Sequence, residues 1–319
     1  MVSLFVLFIR SPKRILWLRG IVQSELERQG MASSSTLAFI GALASFFPAF
    51  LAIPSAALVR KFGHFKVSLA GSLFVGLGEL ISGFTSSSLA CLFIFNGVFL
   101  GVGGSLCFLS TCDLPSTYFK RKRALTTGIF SSGGGIGGAV YCILSQKLIN
   151  SIGLPWTFRI LGIISLSMMI PSCFFLKPGI PSNSNTYNNR HNNPLSTLRS
   201  IPFALVAAAC FIVSFAIFMP SFFVPLYVKS IGLSSQYGAI FTSVFNLASA
   251  AGRLGYGALA DFVTGNVNAF ILSTFSIGAG SLFIWPFTTN VGPLSVVVIA
   301  VGSGVGGFIA QQPSLCGQM

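Results

Sequence analysis

Charge is the scarcest resource in this sequence. Only 8% of its 319 residues are charged, and of these only five are acidic. A soluble domain keeps about 25% charged residues to cover its surface, so this chain is excluded from that class. The two histidines, His64 and His191, lie in loops far apart in sequence. No zinc spacing, nucleophile elbow or phosphate loop is present, which argues against an enzyme and against any metal or organic cofactor. The seven cysteines form no C-x-x-C pair and fall mostly inside apolar runs. They read as small, soft packing residues rather than a disulfide framework. The start, MVSLFVLFI, lacks the basic leading region and small-residue cleavage site of a signal peptide.

What is abundant is apolar length. Hydrophobic residues make up 53% of the chain and its mean hydropathy is +0.83. A hydrocarbon core about 30 Å thick needs roughly 20 apolar helical residues per crossing. Nine runs meet that need, at about 36–59, 67–84, 89–112, 124–149, 157–176, 202–226, 237–259, 267–286 and 291–312. They are too long for strands and lack strict alternation. The sequence predicts an all-α, polytopic membrane protein.

The net charge of +14 would suggest nucleic acid in a soluble protein. Here the bases sort into loops instead. Arg60, Lys61, Lys66, Lys120, Arg121, Lys122, Arg123, Lys177, Arg190, Arg199 and Arg253 fall on one side of the alternating runs. Only Arg28, Lys147, Arg159 and Lys229 fall on the other. Eleven bases against four place the richer side in the cytoplasm. The partners expected are lipid and a small solute, not a polynucleotide.

The polar stretch 177–200, rich in Asn, Ser and Pro, reads as a flexible cytoplasmic linker. It divides the chain into an N-terminal bundle, 1–176, and a C-terminal bundle, 201–319. The halves resemble each other: Ala57-Leu58-Val59-Arg60 and Ala258-Leu259-Ala260-Asp261 share a small-Leu-apolar-charged pattern. With that offset as a ruler, the run at 202–226 pairs with 1–25. That stretch is interrupted by Arg10, Lys13, Arg14 and Arg19, each costing about 2.5–3.5 kcal/mol at mid-bilayer. The first span is therefore expected to be degenerate. The loop beginning at Tyr118 pairs with the chain end, so the last two spans of the second half are expected to be missing.

Tyr118, Phe119, Lys120, Arg121, Lys122 and Arg123 lead into an Ala/Gly/Ser-rich helix with Gly128, Gly133 and Gly135. This resembles the monocarboxylate porter family of the major facilitator superfamily, especially its fungal branch. Ile152-Gly153 with Trp156 to Arg159, and Gly252-Arg253-Leu254 with Gly257, Leu259, Asp261 and Asn268, resemble two further connections of that family. The resemblance implies a major facilitator-type two-bundle architecture with about nine to ten of twelve transmembrane helices. It implies a secondary carrier of a small solute, such as a monocarboxylate or other small organic anion, working by alternating access as a proton symporter. The alternative is a transport-incompetent, truncated remnant or sensor-like derivative of such a carrier.

Candidate substrate or gating residues are Arg253, Glu79, Asn96, Asn246 and Gln311, the few ionisable or amide groups inside the runs; such groups usually face a cavity or a partner. By resemblance, an Arg at position 253 contributes to carboxylate binding. The acid that the family places four residues earlier is replaced by Ser249. The conformational motif on the basic side comprises Arg60, Gly63, Asp113, Tyr118, Phe119, Lys120, Arg121, Arg123, Gly257 and Asp261. Where the superfamily carries an Asp in the first-half loop, this chain has Arg60, whereas Asp261 keeps the acid in the second half. Gly133/Gly135/Gly138 and Gly302/Gly304/Gly307 satisfy G-x-G-x-x-G, but both lie within apolar runs and read as close helix packing, not dinucleotide loops.

Overall fold

The computed structural model describes residues 22, 25–27, 30–31, 33–86, 88–112, 123–174, 176, 201–230, 232, 234–284, 288 and 291–316. Within them every predicted run is helical and none is a strand. Helix α1 is Ser34–Phe50 and α2 is Ala52–Ser82. Helix α3 starts as Leu89–Cys91, passes through a π-helical stretch Leu92–Phe99 and continues as Leu100–Cys112. Helices α4, Arg123–Ile152, and α5, Leu154–Phe174, follow. After the linker come α6, Ile201–Ser230, and α7, Ser235–Leu259, which runs into a π-helical stretch Ala260–Thr264. Helix α8, Gly265–Ala279, and α9, Val291–Cys316, complete the described fold. Among the described residues, six helical runs are long and apolar enough to cross a membrane. The Asp113-to-Arg121 part of the predicted motif and the linker lie outside the described residues.

Two predicted boundaries change. The run 36–59 breaks at Leu51, between α1 and α2. Pro54 has no N–H to return to the Phe50 carbonyl four residues back, while the bonds from Leu51 N to Phe47 O and from Ser55 N to Leu51 O persist, each at 2.9 Å. The loop predicted after this run shrinks to a single residue. Gly63, with φ 82° and ψ 161°, reverses the chain inside α2. The register proves the reversal. Before Gly63 the chain runs parallel to α3: Leu43 meets Gly97, Phe47 meets Gly101 and Ser55 bonds Ser105. Beyond Gly63 it runs antiparallel, Gly71 meeting Gly103 and Gly78 meeting Phe95.

The second half repeats this turn. The apolar helical run Gln236–Leu282 is 47 residues long. Straight, it would reach about 70 Å, more than twice a hydrocarbon core. Gly265, with φ 78° and ψ 163°, turns it back. The two turns differ by one residue. Arg60 precedes Gly63 by three positions and Asp261 precedes Gly265 by four. The π-helical stretch Ala260–Thr264 takes up the extra residue, as a single-turn π-bulge does.

Both glycines occupy backbone space that only glycine enters without strain. Neither would meet another atom if given a Cβ, so an alanine there would cost conformational energy alone. We expect Gly63→Ala and Gly265→Ala each to destabilise the fold by about 1–3 kcal/mol. Thermal unfolding in detergent checks this: both should melt several degrees lower, while Gly255→Ala, also in open space but with ordinary φ, should not.

Packing follows small residues. Helix α2 packs on α3 and α5, and α1 on α3. Helix α9 packs on α7 and α8, and α6 on α7. Helix α4 joins the two groups, with its main contact on α7. Helices approach this closely where glycine and serine allow backbones to touch.

Candidate functional site

Helices α4 and α7 form an antiparallel seam, and each step along α4 is matched by a step back along α7. At the basic end, the Leu125 N–H donates to Asp261 Oδ2 at 2.8 Å. Leu125 lies in the first turn of α4, where N–H groups lack intrahelical acceptors. The carboxylate thus caps a helix N-terminus from 136 residues away, and its charge complements the positive end of the helix dipole. Gly257 faces the same turn; a Cβ there would lie 3.0 Å from the Ala124 carbonyl. One step further in, Gly128 lies directly on the Arg253 backbone. Deeper still, a Cβ at Gly135 would lie 2.6 Å from the Asn246 carbonyl. Ser243 Oγ closes the described seam by donating to the Ala139 carbonyl at 3.2 Å.

Arg253 is the largest fully buried side chain among the described residues, 1% exposed. Its Nη1 donates to the Ser131 carbonyl across the seam. Its Nε and Nη2 have no acceptor, and among the described residues no acid pairs with it. Asn246, Ser249 and Arg253, at i, i+3 and i+7, share one face of α7. Asn246 Nδ2 donates to the Thr242 carbonyl at 2.8 Å, while its Oδ1 is unpaired. Ser249 Oγ is unpaired too. On α9, Gln311 Nε2 donates to the Tyr256 carbonyl at 3.2 Å, leaving Oε1 unpaired. All four side chains are nearly or wholly buried. Unpaired buried polar groups are costly, and these four lie on α7 or, for Gln311, on the helix packed against it.

Helix α9 holds the rear of this site. A Cβ at Gly302 would lie 2.8 Å from the Phe245 carbonyl, and Gly306 sits directly on the Ser249 carbonyl. Helix α7 is therefore clamped between glycines of α4 and glycines of α9 at the level of Arg253.

The other predicted residues lie elsewhere. Glu79 is buried between α2 and α5, where Ser165 Oγ donates to its Oε2 at 2.9 Å. Ser165 in turn meets Tyr141 Oη of α4 at 3.3 Å. Asn96 is buried in the π-helical part of α3. Arg60 stands exposed beside Gly63. Asp113, Tyr118, Phe119, Lys120 and Arg121 lie outside the described residues, and of Arg123 only the backbone, opening α4, is described. The sequence marks Ser249 only as a replaced acid, not as a buried hydroxyl on the face of Arg253, and gives no sign of the Leu125 N–H and Ser131 carbonyl as partners. Backbone partners leave no mark in the identity of a residue.

The Major Facilitator Superfamily family model matches residues 18–318. The chain belongs to the Major Facilitator Superfamily. Among its relatives within the superfamily is the MFS-type transporter pynF of Aspergillus niger, 26% identical over 90% of this chain and 65% of the relative. The aspyridones efflux protein apdF of Emericella nidulans is 28% identical over 88% of this chain and 56% of its own length. The agnestins efflux protein AgnL12 of Paecilomyces divaricatus is 29% identical over 88% and 63%. The chain thus spans between half and two thirds of these superfamily members.

Proposed function

We propose that this superfamily member moves a small organic anion, a monocarboxylate or a larger carboxylate, across the membrane by alternating access. The observation that carries the reading is the buried Arg253 guanidinium with two donors unfilled. A buried cation without a counter-ion is strongly unfavourable, and an anionic oxygen brought by substrate would relieve it. Asn246, Ser249 and Gln311 add polar contacts that orient the remainder of the solute. The names of the efflux proteins apdF and AgnL12 describe export, which supports that direction.

In this reading residues 1–176 and 201–319 are the two moving bundles, 177–200 is their cytoplasmic linker, and the basic end faces the cytoplasm. The α4–α7 seam, closed at that end, is the gate. Asp261 is its latch, and Arg60 supplies no matching latch in the first half. Protons are the coupling ion, with Glu79 the most buried acid among the described residues.

The purified chain in proteoliposomes, screened with labelled carboxylates, vitamins and amino acids under an imposed proton gradient, tests the reading. Carboxylate flux above that of empty vesicles is expected. Flux of neutral solutes alone, or none, would refute it. The latch has its own test. Asp261→Asn keeps a hydrogen-bond acceptor but loses the charge, a loss of about 0.3–1 kcal/mol at a helix terminus. A thiol placed at Leu125 should then react faster with a water-soluble maleimide by roughly two- to fivefold. An unchanged rate would remove the latch role.

A further inference from the structure

The two equivalent turns carry opposite charges, and this gives them different partners. At Gly265 the acid Asp261 reaches the N-terminus of α4. At Gly63 the corresponding residue is Arg60, and Lys61 and Lys66 stand beside it, all three exposed. A cation cannot cap the positive end of a helix, so this turn cannot latch as its twin does. It is nevertheless held in place: His64 Nδ1 lies 3.0 Å from the Ser110 carbonyl of α3. The result is a fixed cluster of positive charge with no acid against it among the described residues.

What lies next to the cluster indicates what it binds. The exposed face of the first arm of α2 is an apolar stripe of Ile53, Ala57 and Leu58, spaced by helical turns. It ends in Phe62, half-exposed, whose ring lies 5.4 Å from Lys61 Nζ. An apolar stripe the height of a membrane leaflet, finishing in an aromatic ring and three cations, complements one molecule: chains along Ile53 and Leu58, a negative headgroup at the turn. Amphipathic aromatic and basic side chains settle at that depth of a bilayer.

We propose that the Gly63 turn is a binding site for an anionic phospholipid, with Arg60, Lys61 and Lys66 holding the headgroup phosphate. The exchange of acid for base at position 60 turns a potential internal latch into a lipid contact. The site does not depend on what the chain transports.

Native mass spectrometry of the full chain in detergent, titrated with phosphatidylserine and with phosphatidylcholine, tests this. Phosphatidylserine should be retained in preference. Each juxtamembrane base contributes about a fivefold factor in affinity for an anionic surface. R60Q/K61Q/K66Q should therefore weaken phosphatidylserine binding by roughly 100-fold, and R60K/K61R/K66R should restore it. Lys66→Gln alone, too small a change to disturb insertion, should lower affinity about fivefold. Equal retention of the two lipids would overturn the proposal, as would full retention by the triple glutamine variant. Competition by glycerophosphoserine as strong as by the lipid would assign a soluble-anion site instead. Loss of dimers in the triple variant with lipid binding unchanged would assign the face to a second copy of the chain.

Discussion

Arg253→Ala should lower flux of an anionic solute at least 100-fold while the protein still inserts at normal levels. Losing one partner of a buried, hydrogen-bonded charge pair costs about 3–5 kcal/mol, and each 1.4 kcal/mol is a tenfold change in affinity. The opposite sign is expected for stability. Without solute, the guanidinium is a buried cation that donates one hydrogen bond, from Nη1 to the Ser131 carbonyl, and has two donor nitrogens unfilled. Replacing such a group by an apolar side chain of similar length is often neutral or stabilising. Arg253→Met should therefore lose transport yet melt no lower than the parent chain. A residue that served only to hold α4 against α7 would behave in the reverse way, with reduced melting and transport lost only in proportion to folded protein. Arg253→Lys should rescue part of the flux, because it keeps the charge but lacks the planar fork. Proteoliposome flux and detergent melting curves on the same preparations separate these outcomes.

Gly306→Ala and Gly128→Ala should both be severe, in different ways. Each new Cβ would overlap backbone of α7, at Ser249 and Arg253 respectively. Backbone cannot rotate aside as a side chain tip can, so the helices must separate. Overpacking of this kind typically costs about 1–3 kcal/mol. The α7–α9 contact lies within one packing group, so Gly306→Ala should reduce the yield of monodisperse protein and its melting temperature. The α4–α7 contact joins the two groups, so Gly128→Ala should fold but hold the seam apart, weakening the bond from Leu125 to Asp261. Its signature is loss of flux with little loss of melting temperature. Gly278→Ala, in open space, should be silent on both counts. Equal behaviour of all three would show that the glycine clamp is not tight.

The helical runs were legible because a bilayer imposes one simple requirement, length without charge, and the composition meets it. Arg253, Asn246 and Gln311 were legible for the same reason, since polar groups in apolar runs stand out. That Gln311 lies against the helix carrying Asn246 and Arg253 was not, because it depends on which helices touch. Glu79 and Asn96 looked equivalent to them in sequence yet lie in separate packing sites. A turn between the runs 36–59 and 67–84 was legible from the bases Arg60, Lys61 and Lys66; that it narrows to Gly63 alone was not, because a single glycine with positive φ leaves the helical pattern around it nearly unbroken. The one-residue mismatch between the halves is visible in the spacing to the two glycines, but only the π-helical stretch at Ala260–Thr264 explains how the fold absorbs it.

The gate itself can be tested by locking it. Ser243 Oγ meets the Ala139 carbonyl at 3.2 Å, so Ala139→Cys and Ser243→Cys, in a chain whose native cysteines are replaced, place two thiols across the seam. If solute passes only when α4 and α7 separate, oxidation should stop carboxylate flux in proteoliposomes and dithiothreitol should restore it. Undiminished flux through the fully cross-linked protein would contradict the account.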